Sequence, residues 1–370
     1  MKKAKKTDVL LLITICGLLV LGGSSLLLFP APRFSESENR LLAEKPAFTW
    51  QSLRDGSYTA GFDTYTRERM PGRRLMRGVY AAAELALGKC ETGNVLLCRD
   101  GSLTKRVGVS ERIYQKNLKA LAKLTAKADN AGCALTVAVV PCRIDARTDV
   151  LPRLYQSNTR EALYDTLKEA LPDAISFPHI TNADEWFYTD HHWTPEGAFA
   201  AYEALGTHLG YTPFGKADFS KEVVSEHFFG TTDAAAGILG VLPDKIELWR
   251  YTGDTEFRLV KDGMPAEFAG LYDLAKLETR DGYAVFLGGN DGVLTVDLGE
   301  NDTRPTLVVI KDSFANALLP FLARHYRIVA IDPRYTSKAA EHLLAGADRA
   351  LFLCGMQTLT ETAFLQALVK

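Results

Sequence analysis

The sequence predicts an α/β protein: a parallel sheet with helices on both faces, an inserted mixed β region, and an N-terminal transmembrane helix. Three observations predict it. Short apolar runs alternate with helix-length segments in two blocks of the chain, as βαβ units do. An aromatic- and turn-rich stretch, 210–301, separates the blocks. A lysine cluster stands ahead of a long uncharged run at the N-terminus.

The elements follow in order. Lys2, Lys3, Lys5 and Lys6 precede Val9–Phe29, which carries no charge and is rich in Leu, Ile and Val. A bilayer needs about 20 apolar residues in a helix. The run therefore reads as a membrane anchor, with the lysines cytoplasmic and the rest of the chain outside. Gly22, Gly23, Ser24 and Ser25 keep a cleaved signal open as a second reading, and a buried core helix is a third. The implied organisation is a basic tail at 1–8, an anchor at 9–29, a juxtamembrane and helical region at 30–109, and an α/β domain at 110–370. The predicted localisation is a single-pass membrane protein with its main domain extracytoplasmic.

Pro71-Gly72 breaks the first helical region, and Gly88 ends the Leu75–Leu87 helix. Val95–Cys98 and Ser102–Leu103 flank the turn Arg99-Asp100-Gly101 as a hairpin. Ser110 caps a helix with Ile113, Leu118, Leu121 and Leu124 on its apolar face. Ala134–Val140 is apolar throughout, as in a strand covered on both sides. A helix over Thr159–Leu171 and a strand over Ala174–Phe177 follow, and a third helix starts after Thr194. The second block reads Thr306–Ile310 strand, Phe314–Arg324 helix, Arg327–Ile331 strand, Ser337–Leu344 helix, Arg349–Leu353 strand and Thr358–Val369 helix.

The chain has 370 residues, 47% hydrophobic and 24% charged, with 43 Lys+Arg against 45 Asp+Glu. Those proportions exclude a disordered or collagen-like chain. A net charge of −2 argues against nucleic acid as a partner. Cys90 and Cys98 flank a turn and form a local disulfide outside the cytoplasm on one reading; free buried thiols are the slightly favoured alternative. No CxxC spacing points to zinc.

Three strings could carry chemistry. In Tyr188-Thr189-Asp190-His191-His192-Trp193-Thr194-Pro195, Thr194 and Pro195 start a helix, so Asp190 and His192 lie in the turn before it. Two residues apart in extended backbone, they point to one side. A carboxylate there orients an imidazole as a base. Metal ligation by Asp190, His191 and His192 competes with this reading, and so does a plain capping loop. Leu307–Ile310 runs into Lys311-Asp312-Ser313-Phe314, which puts Ser313 where a strand gives way to a helix. Unpaired N–H groups at such a point can receive an oxyanion, although Asp312 or Ser313 is equally a helix cap. Gly288-Gly289-Asn290-Asp291 is a Gly-rich turn whose Asn290 amide could donate to the same oxyanion; as Asn-Asp-Gly it is also an ordinary hairpin turn. Together these are the parts of a serine acyl-transfer site, with Ser313 as nucleophile, His192 as base, Asp190 orienting it, and Gly289 and Asn290 at the oxyanion.

At these residues the chain resembles the DHHW protein family, itself similar to the SGNH-hydrolase-like acetyltransferases of alginate and other exopolysaccharides. Asp190-His191-His192-Trp193 is the namesake string. Asp312-Ser313-Phe314 resembles the nucleophile block and Gly288-Gly289-Asn290-Asp291 the Gly-x-Asn block. Phe34–Arg40 and Pro71-Gly72-Arg73 are family-like too. The resemblance implies an SGNH-hydrolase-like, flavodoxin-like fold and a membrane-anchored extracytoplasmic enzyme, an O-acetyltransferase or acetylesterase on a cell-surface glycan. It implies no cofactor and no metal. Its partners would be the glycan, the bilayer and a multi-span membrane protein that donates acyl groups. Lys311 departs from the Gly usual before Asp-Ser in the hydrolases, so it narrows the oxyanion site or binds an anionic substrate. Arg334 and Tyr335, after the next strand, would bind sugar or stabilise charge, or form a solvated turn. The alternative function is a non-catalytic glycan-binding or assembly protein with a decayed site.

Overall fold

The computed structural model describes residues 6–28, 33–35, 40–153, 155, 160–336 and 344–369. These residues fall into two compact units. One comprises the described residues up to Lys89 together with Gly237–Leu239; the other comprises Cys90–Ala236 and the described residues from Gly240 on.

The first unit is helical, with helices over Lys6–Leu28, Trp50–Arg54, Ser57–Arg69 and Arg73–Ala86. It corrects the anchor reading. No helix among the described residues is long and apolar enough to cross a membrane. Lys6, Thr7 and Asp8 occupy the start of the first helix, and Gly22-Gly23-Ser24-Ser25 interrupt its far end. The strongly apolar part between them, Val9–Leu21, spans only about 20 Å at 1.5 Å per residue. The hydrocarbon core is about 30 Å thick. The single-pass localisation falls with the anchor.

The second unit is built on an eight-stranded sheet. Its order is Met264–Pro265, Arg258–Lys261, Val293–Asp297, Arg327–Ile331, Thr306–Lys311, Arg349–Gly355, Leu135–Val140, Ile175–Ser176. The last five of these are mutually parallel. The first three pair antiparallel. The sheet is therefore mixed, where the sequence predicts a parallel one with the insertion apart. The inserted stretch supplies three of the strands, and it does so by direct reversal. Asp262 and Gly263 both have positive φ, 49° and 88°, which suits a two-residue hairpin turn. Parallel pairing would need a longer crossover. The rest of the insertion forms its own antiparallel pair, Ser220–Phe228 with Asp244–Arg250.

The central strands are covered on both faces, and alternation shows how. Leu307 and Val309 join one apolar cluster, while Val308 and Ile310 join the other. Successive side chains of a strand point to opposite faces, so one strand anchors two cores. Each fully buried aliphatic side chain contributes about 1.5–3 kcal/mol. Helices Pro195–Leu209 and Ala315–Leu322 cover one face through Phe199, Tyr202, Leu205, Leu318 and Phe321. Helix Glu111–Asn130 covers the other through Tyr114, Leu118, Leu121 and Leu124.

Smaller differences are local. The last helix is Met356–Glu361 rather than Thr358–Val369. Most of the predicted Ser337–Leu344 helix, 337–343, lies outside the described residues, as does most of the stretch 35–40. All six cysteines are free thiols; Cys90 is exposed and Cys98 buried, so the pair is not bridged.

Candidate active site

The Asp190–His192 loop sits just before the Pro195–Leu209 helix. Thr194 caps that helix by accepting from Gly197 N–H at 3.4 Å, with Pro195 in its first turn. The cap holds the loop end, and the Trp193 indole donates to Phe314 O at 2.9 Å. That bond ties the loop to the turn after the Thr306–Lys311 strand. At this turn Asp312 Oδ1 accepts from Phe314 N–H at 3.0 Å, and Oδ2 accepts from Gly355 N–H at 2.9 Å and Thr358 Oγ1 at 2.6 Å. Ser313 therefore stands at the C-terminal end of a central parallel strand, where open α/β sheets bind ligands.

The two segments meet. His192 Nε2 lies 2.7 Å from Ser313 Oγ, and His192 Nδ1 lies 2.5 Å from Asp190 Oδ1. The carboxylate accepts at Nδ1, so Nδ1 carries the proton and Nε2 is left to accept from the serine hydroxyl. Asp190 is 1% exposed. Its Oδ1 also accepts from His192 N–H at 3.0 Å, and its Oδ2 from Thr231 N–H at 2.7 Å and Thr231 Oγ1 at 2.9 Å. Burial opposes ionisation of Asp190. The His191 and His192 rings and these hydrogen bonds outweigh it, and hold the carboxyl well below the usual carboxylate range. Gly230 permits this packing, because a Cβ there would fall 2.3 Å from Asp190 Cβ and Oδ2.

Tyr283, in the inserted stretch, stacks on the His192 ring. The ring centroids are 3.9 Å apart and the planes differ by 3°. Its hydroxyl donates to Ser313 O at 3.2 Å. The ring thus clamps the imidazole plane while the hydroxyl ties the clamp to the serine turn. The Tyr283→Leu variant is expected to lose about 10- to 100-fold in turnover through misalignment. Tyr283→Phe, which keeps the stack, should retain most of the activity. Steady-state kinetics of both variants checks this, and an unimpaired Leu variant removes the clamp.

The remaining predicted residues separate. Asn290 is exposed, and its Oδ1 accepts from Lys311 Nζ at 3.3 Å and Asn316 Nδ2 at 3.1 Å. The Gly289 N–H donates to Phe286 O at 3.2 Å, which takes that group away from an oxyanion. Ser313 N–H has no acceptor among the described residues. Lys311 is buried. It is 1% exposed, and its amine points toward Asn316 and Asn290. Arg334 is likewise occupied, as a fork on the fully buried Asp332 carboxylate at 2.9 and 2.6 Å. Tyr335 is 60% exposed and stands beside Arg334.

Asp190, His191 and His192 offer ligand atoms within 4.8 Å of one another. Asp190 and His192 already spend theirs on each other, on Thr231 and on Ser313, and His191 Nδ1 lies 2.8 Å from Thr231 Oγ1. A metal would have to displace those bonds. Burial, with the His192 ring adding to it, pulls His191 down to about 4, so it is neutral near pH 7. Thr231, Gly230, Tyr283 and Asn316 all escaped the sequence reading. Asn316 ends the strand-to-helix string that carries Ser313, three residues after it, where the sequence assigns it no role.

The fold and site define an α/β protein with a mixed sheet and an Asp–His–Ser chain at the strand ends. The chain belongs to the DHHW protein family, whose description matches residues 144–331, across both the Asp-His and the Ser strings. It is similar to a crystal structure of a DHHW family protein from Eubacterium siraeum, at 19% identity and a TM-score of 0.59, covering 75% of this chain and 95% of that one. It is similar in fold to Bacillus cereus PatB1 determined with a sulfonyl adduct, at 19% identity and a TM-score of 0.61, covering 73% of this chain and 97% of that one. In sequence it is 26% identical over 168 residues to the probable alginate O-acetylase AlgJ of Pseudomonas putida. That match covers 42% of this chain and 44% of the relative, so the chain spans less than half the length of the curated relative it matches.

Proposed function

We propose that this protein is an acyl-ester enzyme of the polysaccharide O-acetyltransferase type, with Ser313 as its nucleophile. The observation that carries the reading is the continuous chain from Asp190 through His192 to Ser313 Oγ, at 2.5 and 2.7 Å. A serine hydroxyl is a weak nucleophile until a base takes its proton.

In the proposed reaction Ser313 Oγ attacks the carbonyl carbon of an acetyl ester, and its proton passes to His192 Nε2. The oxyanion receives hydrogen bonds from Ser313 N–H and the Asn290 amide. The tetrahedral intermediate collapses, and the departing alkoxide takes the proton from His192. An acceptor hydroxyl then loses its proton to His192 and attacks the acetyl-serine; the intermediate collapses to the new ester, and the departing Ser313 Oγ takes the proton back from His192 Nε2. Water in place of that hydroxyl gives hydrolysis. A small cleft lined by Lys105, His191, Thr232, Phe314 and Gln357 lies beside the site. The named activity of the Pseudomonas putida relative, alginate O-acetylation, supports a polysaccharide acceptor.

The test uses a chromogenic acetyl ester as donor and an unacetylated oligosaccharide as acceptor. Acetylated oligosaccharide detected by mass spectrometry is expected. Release of free acetate alone makes the protein an esterase. A sulfonyl fluoride, chosen to match the adduct on PatB1, is expected to label Ser313, and absence of both turnover and labelling overturns the reading.

A further inference from the structure

This inference rests on the serine reading above and concerns how its oxyanion site is kept in order. A lysine buried to 1% exposure is costly unless its charge is paired, and methionine would fill similar space. Lys311 Nζ lies 2.6 Å from Asn316 Oδ1 and 3.3 Å from Asn290 Oδ1. An ammonium has three donors and no acceptor. Any side-chain amide that meets it must present oxygen, so the amine dictates which way both amides face. Asn316 then turns its Nδ2 toward two acceptors, Asn290 Oδ1 at 3.1 Å and Gly289 O at 3.4 Å. Asn290 Oδ1 is thus held by two donors, while its Nδ2 has no acceptor among the described residues and the residue is exposed.

The two ends of an Asn amide have nearly the same shape, so packing alone does not distinguish them. Only one orientation presents a donor to an oxyanion. The backbone also brings Asn290 to this network at a cost. Leu287, Gly288 and Gly289 have successive positive φ of 60°, 73° and 96°, and a leucine there is strained. The other end of the network is tied to the nucleophile turn, since Asn316 N–H donates to Ser313 O at 3.1 Å. Burial pulls Lys311 down to about 8, against the nearby carboxylates of Asp332, Asp312 and Asp291 and with Arg334 adding to the pull. The amine is therefore mostly protonated at neutral pH.

We propose that Lys311 and Asn316 are positioning residues that lock the Asn290 amide with its N–H₂ toward the oxyanion formed at Ser313. They touch no substrate and act through Asn290.

The test is a double-mutant cycle on the full chain, with kcat and KM for a chromogenic acetyl ester and thermal unfolding of each variant. Asn290→Ala is expected to lower kcat about 10²–10³-fold by removing an oxyanion donor. Lys311→Met is expected to lower kcat about 10- to 100-fold with little change in KM. The double variant should be no slower than Asn290→Ala alone, because Lys311 has nothing left to orient. A double variant whose losses multiply overturns the proposal, since a merely structural lysine would add its own defect. If Lys311→Met does not fold, Asn316→Asp keeps an oxygen for Lys311 and removes the Nδ2 donor. It should slow the wild-type background and leave Asn290→Ala unaltered; equal losses in both backgrounds overturn the proposal. Turnover that is the same in wild type and Ser313→Ala sinks the serine reading and this inference together. Ser313-dependent turnover with multiplying losses sinks this inference alone.

Discussion

Ser313→Ala is expected to abolish acetyl transfer and sulfonyl labelling, with turnover falling on the order of 10⁶-fold, as when a nucleophile that works as a unit with its base is removed. The fold should survive. Among the described residues Ser313 Oγ makes one hydrogen bond, to His192 Nε2, and the backbone carbonyl of Ser313 keeps its bonds from Tyr283 and Asn316. Losing one such bond costs about 1 kcal/mol. Loss of activity with a nearly unchanged unfolding temperature therefore separates chemistry from collapse. A burst of chromophore in the first turnover, present in wild type and absent in the variant, would tie the loss to the acetyl-serine. Labelling of the alanine variant at the wild-type rate would place the nucleophile elsewhere.

Asp190→Asn is expected to lower kcat on the order of 10⁴-fold while leaving KM nearly unchanged. The reason is donor and acceptor arithmetic. Asp190 accepts from four groups, the His192 N–H and Nδ1 and the Thr231 N–H and Oγ1. An asparagine replaces one accepting oxygen with a donor. If that donor faces His192, Nδ1 must accept, Nε2 carries the proton, and the ring can no longer take one from Ser313. If it faces Thr231, it meets a backbone N–H that can only donate. The pH dependence follows from the same contacts. The folded carboxyl lies below its unfolded value, so the stability it contributes is present above the ordinary carboxylate range, about pH 4. That stability is lost only as pH falls below this range. Wild type should therefore keep the Asp190 contribution throughout mildly acidic solution. The variant should lack it and show a flatter acid limb in urea-unfolding free energy against pH. A variant with wild-type kcat would remove Asp190 from the mechanism.

Much of this molecule was legible in its local patterns. The Thr306–Lys311 and Arg327–Ile331 strands and the helix after Thr194 fall within a residue or two of where apolar runs and caps put them, because those features depend on neighbours along the chain. Asp190 and His192 were readable as a pair for the same reason: they are two residues apart and joined by a local hydrogen bond. The N-terminal helix was also readable as a helix, yet its usable apolar length was overestimated. The run Val9–Phe29 carries no charge, but the small and polar residues Gly22-Gly23-Ser24-Ser25 shorten its strongly apolar part.

What remained hidden depends on distance in sequence. The His192–Ser313 contact spans 121 residues and the Asp190–Thr231 contact 41. No periodicity links such positions; a sheet register and two helix packings bring them together. Tyr283 lay in a stretch that reads as turns, and only folding lays its ring flat on His192. The direction of a side chain is equally a tertiary matter. Lys311 reads as a cation at the mouth of a site, but alternation along a strand covered on both faces sends it inward, where its donors find two amide oxygens. The amino-acid order by itself determined which residue types stand at the strand ends and helix starts, since propensity, capping and apolar period act over a few residues. Only the tertiary structure decided which of them touch, because burial joins distant groups by shape and by the need to satisfy every buried donor and acceptor.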